Sequence, residues 1–139
     1  MKRLTEAEGT ELLQHGDLLE LGAAAEAECR RRFGNTVTFL VDRNINYTNI
    51  CENECRFCAF FRRAGHRDAY LLPMAAILQK IQETVDAGGT QVMIQGGLNP
   101  ELDLAYFTHM IATIKEHFNI TVHSFTATEV LYLAKKAGK

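Results

Sequence analysis

Three cysteines fall within eight residues, in the run Cys51-Glu52-Asn53-Glu54-Cys55-Arg56-Phe57-Cys58. That spacing lets one loop turn three thiolates toward one point, and thiolates select zinc or iron–sulfur clusters. Structural zinc takes four ligands, usually in paired knuckles. Here the fourth would have to be His66 or a distant residue. Electron-transfer clusters also take four cysteines. Three cysteines alone therefore suggest a [4Fe–4S] cluster with one iron left open for a ligand, much as catalytic zinc sites keep a position open. The rival is a small zinc module on Cys51, Cys55, Cys58 and His66. A disulfide scaffold fits poorly, because two cysteines in a short loop rarely reach disulfide geometry. The fourth cysteine, Cys29, sits in an alanine-rich helical stretch and reads as a small buried hydrophobe.

Regular elements must hold that loop. Thr5-x-x-Glu8 and Asp17-x-x-Glu20 each open a helix, and Gly34 should close the second. Residues 1–35 thus form a helical preamble. Val37–Val41 reads as a β-stretch, continued by the alternation of Asn44–Ile50. Tyr47 and Asn49 share one face of that alternation, with Asn46 and Thr48 on the other. One of these pairs should line an interior. The basic run from Arg62 to Asp68, with Arg63, His66 and Arg67, reads as a solvated loop. Pro73 takes the first position of a helix with Met74, Ile77, Leu78, Ile81 and Val85 on one face, ended by Gly88-Gly89. Gln91–Gln95 is a short strand running into Gly96-Gly97. A helix after Pro100 carries Leu104, Phe107, Ile111, Ile114 and Phe118 on one face. Ile120–His123 is a third strand, and a last helix runs through Leu133.

The order β–loop–α–β–α–β–α argues for a parallel sheet. A (β/α)8 barrel takes ~250 residues, roughly 31 per unit. The 139-residue chain holds about three such units after its preamble, over residues 36–139. It reads as part of a longer enzyme. Barrel sites sit at the C-terminal ends of strands, where the cysteine loop and His123 both fall. His123 is a candidate catalytic residue on that position alone; a hydrogen-bonded structural histidine is the alternative. His15, His109 and His117 have no metal-like partners in the sequence. Composition is ordinary, with 47% apolar and 23% charged residues and a net charge of −2, so no basic field attracts nucleic acid. No apolar run approaches the ~20 residues of a membrane span.

With these residues in place, the chain resembles the radical S-adenosylmethionine (SAM) superfamily. The resemblance rests on the cysteine triplet with aromatic Phe57 before its last member. The runs Val41–Cys51, Cys58-Ala59-Phe60-Phe61-Arg62, Gln95–Pro100 and His123-Ser124-Phe125 narrow it. They are similar to the branch that includes dehypoxanthine futalosine cyclase, aminofutalosine synthase and FO synthase, and closest in wording to the cyclases of menaquinone biosynthesis. The resemblance implies the N-terminal part of a radical SAM (β/α) barrel. It also implies a [4Fe–4S] cluster on Cys51, Cys55 and Cys58, SAM as cofactor, and a 5′-deoxyadenosyl radical acting on a small nucleoside-like substrate. An electron donor such as flavodoxin or ferredoxin and a reducing cytoplasm are implied with them. Phe57 would pack near the adenine, or simply shield the cluster. Many superfamily members follow the paired glycines with a glutamate that binds the SAM amino group, but Leu98 stands there in this sequence. The carbonyls of Gly96 and Gly97 would still accept from that ammonium. Glu129 would bind a ribose hydroxyl or substrate, or merely cap the last helix through Thr126-Ala127-Thr128-Glu129.

Overall fold

The computed structural model describes residues 3–139. The chain divides into two compact units, Met1–Phe39 and Leu40–Lys139.

The first unit is a pair of helices, α1 (Glu6–His15) and α2 (Leu18–Phe33). Both start where their caps dictate. Thr5 and Glu8 form a reciprocal capping box, and Asp17 accepts from the Leu19 and Glu20 amides. Gly34 closes α2 at φ 62°, a conformation that costs glycine nothing. Glu28 pairs with Arg31 and Arg32, which together pull its carboxyl down to about 2. Neither helix buries a residue, so Cys29 is exposed rather than part of a core. The expected strand at Val37–Val41 does not form either. Val37, Phe39 and Leu40 are exposed, and pairing begins only at Asp42. Apolar β-branched character was insufficient there without a neighbouring strand to complete the ladder.

The second unit is α/β. Three parallel strands, β1 (Asp42–Asn46), β2 (Gln91–Gln95) and β3 (Thr121–Ser124), lie in the order β1-β2-β3. Helices α3 (Met74–Asp86) and α4 (Leu104–His117) connect them, and α5 (Ala127–Lys136) follows β3. Ile45 pairs in register with Ile94, and Val92 with Val122. These apolar positions join Ile77, Ile81, Phe107, Met110, Ile114 and Leu133 of the helices in one core. All three helices therefore pack on one face of the sheet. Period-2 alternation puts Asn44, Asn46, Met93, Gln95 and His123 on the opposite face, which contributes nothing to that core.

Details of the helices shift slightly from the sequence pattern. Pro73 is the N-cap of α3 rather than its first residue. The buried stripe of α3 ends on Thr84, whose hydroxyl donates back to the Lys80 carbonyl, while Val85 stays 39% exposed. In α4 the deep residue is Met110 rather than Ile111, and Leu104 is largely exposed. The expected Ile77, Ile81, Phe107 and Ile114 are buried, and each stripe differs from the sequence pattern only at its neighbouring positions.

Candidate cysteine and cofactor site

The site grows from the ends of β1 and β2. Beyond Asn46 the chain leaves the sheet. Tyr47 still donates its amide to Gln95, while Thr48 pairs with Leu71 and Ile50 with Arg62 as isolated bridges. Cys51 is thus the first residue released from the strand's extension. Its amide donates to the Arg62 carbonyl at 3.0 Å, so the basic segment after the cysteines closes the loop's base. Asn49 holds the far end, donating to the Asp68 carbonyl and accepting from the Tyr70 amide. Residues 62–68 are therefore tied to the loop at both ends, more firmly than a solvated segment.

Cys51, Cys55 and Cys58 are free thiols, each half-buried. All three line one cavity of about 440 Å³. Phe57, Gly96, Gly97, Thr126 and Glu129 line it too. The structure thus brings together every residue assigned from sequence to metal or cofactor, and one of the two catalytic candidates. His123 is not among the cavity residues; it is exposed on the open sheet face, in register with Met93. His66 does not line the cavity either, and its Nδ1 accepts from the Asp68 amide. His66 is therefore not placed with the cysteines on that cavity. Among the described residues, no three His, Cys, Asp or Glu side chains stand as a ready metal-holding group.

The alternation around Tyr47 is resolved. Tyr47 is wholly buried beneath the site, while Asn46 and Thr48 line the cavity. Asn49 also lines it, because the chain has left regular strand geometry by that point. Burial and the adjacent Glu129 carboxylate drive the Tyr47 phenol well above its usual range, so it stays a proton donor. Its ring meets Phe107 edge-on at 5.6 Å.

The paired glycines are demanded by close approach. A Cβ on Gly96 would lie 2.4 Å from the Tyr47 ring, and one on Gly97 would lie 2.1 Å from the Ile50 carbonyl oxygen. This turn is pressed against the Tyr47 ring, the Ile50 backbone and the Cys51 Cβ, and no side chain fits at either position.

Glu129 is both a cap and a part of the cavity. Its Oε2 accepts from the Thr126 amide and hydroxyl, completing a capping box. Its Oε1 accepts from the Tyr47 hydroxyl at 3.0 Å and from the Gly96 amide at 3.1 Å. The carboxylate is 4% exposed. Phe125, at φ 63°, makes the turn that delivers it; a non-glycine residue in that region costs of order 1–3 kcal/mol. The Phe125 ring recovers some of this by packing edge-on against Phe107 at 5.3 Å.

Sequence reasoning missed two features. The amides of Asn53 and Leu98 each donate to Cys51 Sγ at 3.3 Å. Backbone donors leave no mark in residue types. Tyr132, on α5, donates to Glu52 at 2.7 Å; partial burial and this carboxylate push its phenol up to about 12.

Comparison with known proteins agrees with this geometry. The sequence pattern of the radical SAM superfamily matches residues 45–139. The chain belongs to the radical SAM superfamily. It is 43% identical over 136 residues to a cyclic dehypoxanthine futalosine synthase of Halalkalibacterium halodurans, covering 96% of this chain and 37% of that protein. It is 39% identical over 129 residues to a 5-amino-6-(D-ribitylamino)uracil–L-tyrosine 4-hydroxyphenyl transferase of Trichormus variabilis, covering 88% and 33%. The chain therefore spans little more than a third of these curated relatives. In fold it matches the crystal structure of methylornithine synthase with a TM-score of 0.73 at 22% identity, over 97% of this chain and 42% of that one. The expected α/β class with a parallel sheet is borne out. No helix among the described residues is long and apolar enough to cross a membrane.

Proposed function

We propose that this chain carries the cluster- and SAM-binding part of an enzyme that cyclises dehypoxanthine futalosine. The observation that carries the reading is the placement of three free cysteines from one loop on a single cavity beside the Gly96-Gly97 turn. The donor set fits the group. Three soft thiolates suit iron–sulfur chemistry, leave one iron open, and come with backbone donors already aimed at one sulfur.

Cys51, Cys55 and Cys58 would hold a [4Fe–4S] cluster. When bound, such a cluster supplies an electron for reductive cleavage of SAM to a 5′-deoxyadenosyl radical. The chain's own residues do the rest. The strapping of the loop by Arg62, Asn49 and the glycine turn keeps the cysteines over the end of the sheet. Phe57, 91% exposed, offers its ring for stacking on an adenine. The carbonyls of Gly96 and Gly97 offer acceptors to an ammonium. Asn46, Thr48 and Asn49 bring polar groups to the cavity wall for a nucleoside-like substrate. The sheet extended by further β/α units would exclude water from the reacting centre. A flavodoxin or ferredoxin would be the electron donor, in a cytoplasmic setting.

The cyclase reading is favoured by the 43% identity to a protein of that name. The 39% identity to the transferase supports a second reading, 4-hydroxyphenyl transfer of the FO-synthase type. The deciding experiment incubates the anaerobically reconstituted protein with SAM and reductant. One arm contains dehypoxanthine futalosine, and the other contains 5-amino-6-(D-ribitylamino)uracil with L-tyrosine. Substrate-dependent 5′-deoxyadenosine and a cyclic product in the first arm alone support the cyclase. Turnover in the second arm alone replaces it with the transferase.

A further inference from the structure

Glu129 looks at first like a ligand for whatever enters the cysteine cavity, because it is an acid on the cavity wall. Its hydrogen bonds argue otherwise. A carboxylate offers about four lone-pair sites. Tyr47 Oη, the Gly96 amide, the Thr126 amide and Thr126 Oγ1 fill them at 3.0, 3.1, 2.7 and 2.9 Å. The group is saturated by its own chain, and its donors come from three separate places: the end of β1, the turn after β2 and the N-terminus of α5.

The turn that Glu129 grips leads directly to a cysteine. Two residues beyond Gly96, the Leu98 amide donates to Cys51 Sγ. Between them the Gly97 amide donates to the Thr48 carbonyl at 3.1 Å, and the Leu98 carbonyl accepts from the Glu52 amide at 3.1 Å. The contact is tight enough that Gly97 has no room for a Cβ. Cys51 is the one cysteine of the three whose sulfur accepts backbone amides among the described residues.

We propose that Glu129 is a positioning residue: it fixes the Gly96–Leu98 turn so that the Leu98 amide draws charge from the Cys51 sulfur. The proposal rests on the cluster reading for its redox consequence, but its structural half stands without metal. Amide donors to a cluster sulfur stabilise the more negative, reduced state, so losing one lowers the reduction potential.

The test uses Glu129→Gln. The single glutamine oxygen can serve only one of the two backbone donors; kept in the shorter contact with the Thr126 amide, it turns the side-chain NH2 toward Gly96, whose amide then loses its acceptor. Two quantities are measured: hydrogen exchange at the Leu98 amide in metal-free protein, and the midpoint potential after reconstitution. Glu129→Gln should speed Leu98 exchange by tenfold or more and shift the potential negative, at unchanged iron and sulfide content. Tyr47→Phe is the control. It also weakens the Glu129 cluster, yet it leaves Gly96 its acceptor, so Leu98 exchange, taken relative to that of the core amide of Ile94 to remove the global loss of stability, and the potential should stay near wild type. A general loss of stability would move both variants alike. If Glu129→Gln does not fold, Glu129→Asp keeps the charge but draws the carboxylate back by one methylene from the Gly96 amide, and should give the same two shifts in smaller measure. Unchanged Leu98 exchange and potential in the variant that folds would overturn the proposal, as would equal shifts in Tyr47→Phe. If no cluster forms in the wild type, the cluster reading fails, and Leu98 exchange alone decides whether Glu129 positions the turn.

Discussion

Replacing Tyr47 by phenylalanine removes one oxygen and leaves a ring that is wholly buried. Packing against Phe107 and Tyr106 is retained, so the loss is confined to the hydrogen bond on Glu129. A hydrogen bond to a charged group contributes about 1.5–3 kcal/mol. Tyr47→Phe should therefore lower unfolding free energy by about 2 kcal/mol at pH 8. The cost should also depend on pH. The native phenol is held well above its ordinary value, first by burial and then by Glu129. An unfolded tyrosine titrates near pH ~10. Below that pH both states hold the proton and the stabilisation is complete. Above it the unfolded state releases a proton that the native state keeps, and wild-type stability falls by up to ~1.4 kcal/mol per pH unit. The variant lacks this term, so the gap between the two should narrow from pH ~10 upward. Urea unfolding followed by circular dichroism at pH 8, 9, 10 and 11 measures both effects. A loss below ~0.5 kcal/mol at pH 8, or a gap that stays constant to pH 11, would refute the reasoning.

Further outcomes follow from other sites. Thr126→Ala removes the α5 cap and one of the four Glu129 donors; it should cost about 1–2 kcal/mol in the same unfolding experiment. Gly22 lies inside α2 with nothing near its missing Cβ, so Gly22→Ala should raise helicity by circular dichroism and stabilise by ~0.5–1 kcal/mol. Cys29 is exposed on α2, outside the unit that holds the cysteine loop. Cys29→Ser should leave iron content after reconstitution unchanged, and a fall by a quarter or more would place it among the ligands.

The β/α order was legible because α3 and α4 repeat apolar residues every three to four positions, while β2 is a short apolar run ended by glycines. The helix starts were legible because caps are local chemistry between residues three apart. The cysteine loop was legible for the same reason, since all three sulfurs come from one short segment. What failed depends on distance. Val37–Val41 has strand-like residues, but the polar Asp42–Asn46 is what pairs with Gln91–Gln95. Glu129 could be read as a cap from Thr126 alone. Its partners Tyr47 and Gly96 lie 82 and 33 positions away, and only the assembled sheet brings them together. Cys29 sits among alanines, yet α2 buries no residue at all. The Leu98 amide could not be found from any residue type, because the chemistry is in the backbone and the position is set by two glycines upstream.

The central claim is that Cys51, Cys55 and Cys58 hold an iron–sulfur cluster rather than zinc. Iron, acid-labile sulfide and zinc measured in the anaerobically reconstituted protein, beside Cys55→Ala, test it directly. The account predicts about four irons and four sulfides per chain, lost in the variant, with no zinc. One zinc per chain without sulfide, or iron retained in Cys55→Ala, would contradict it.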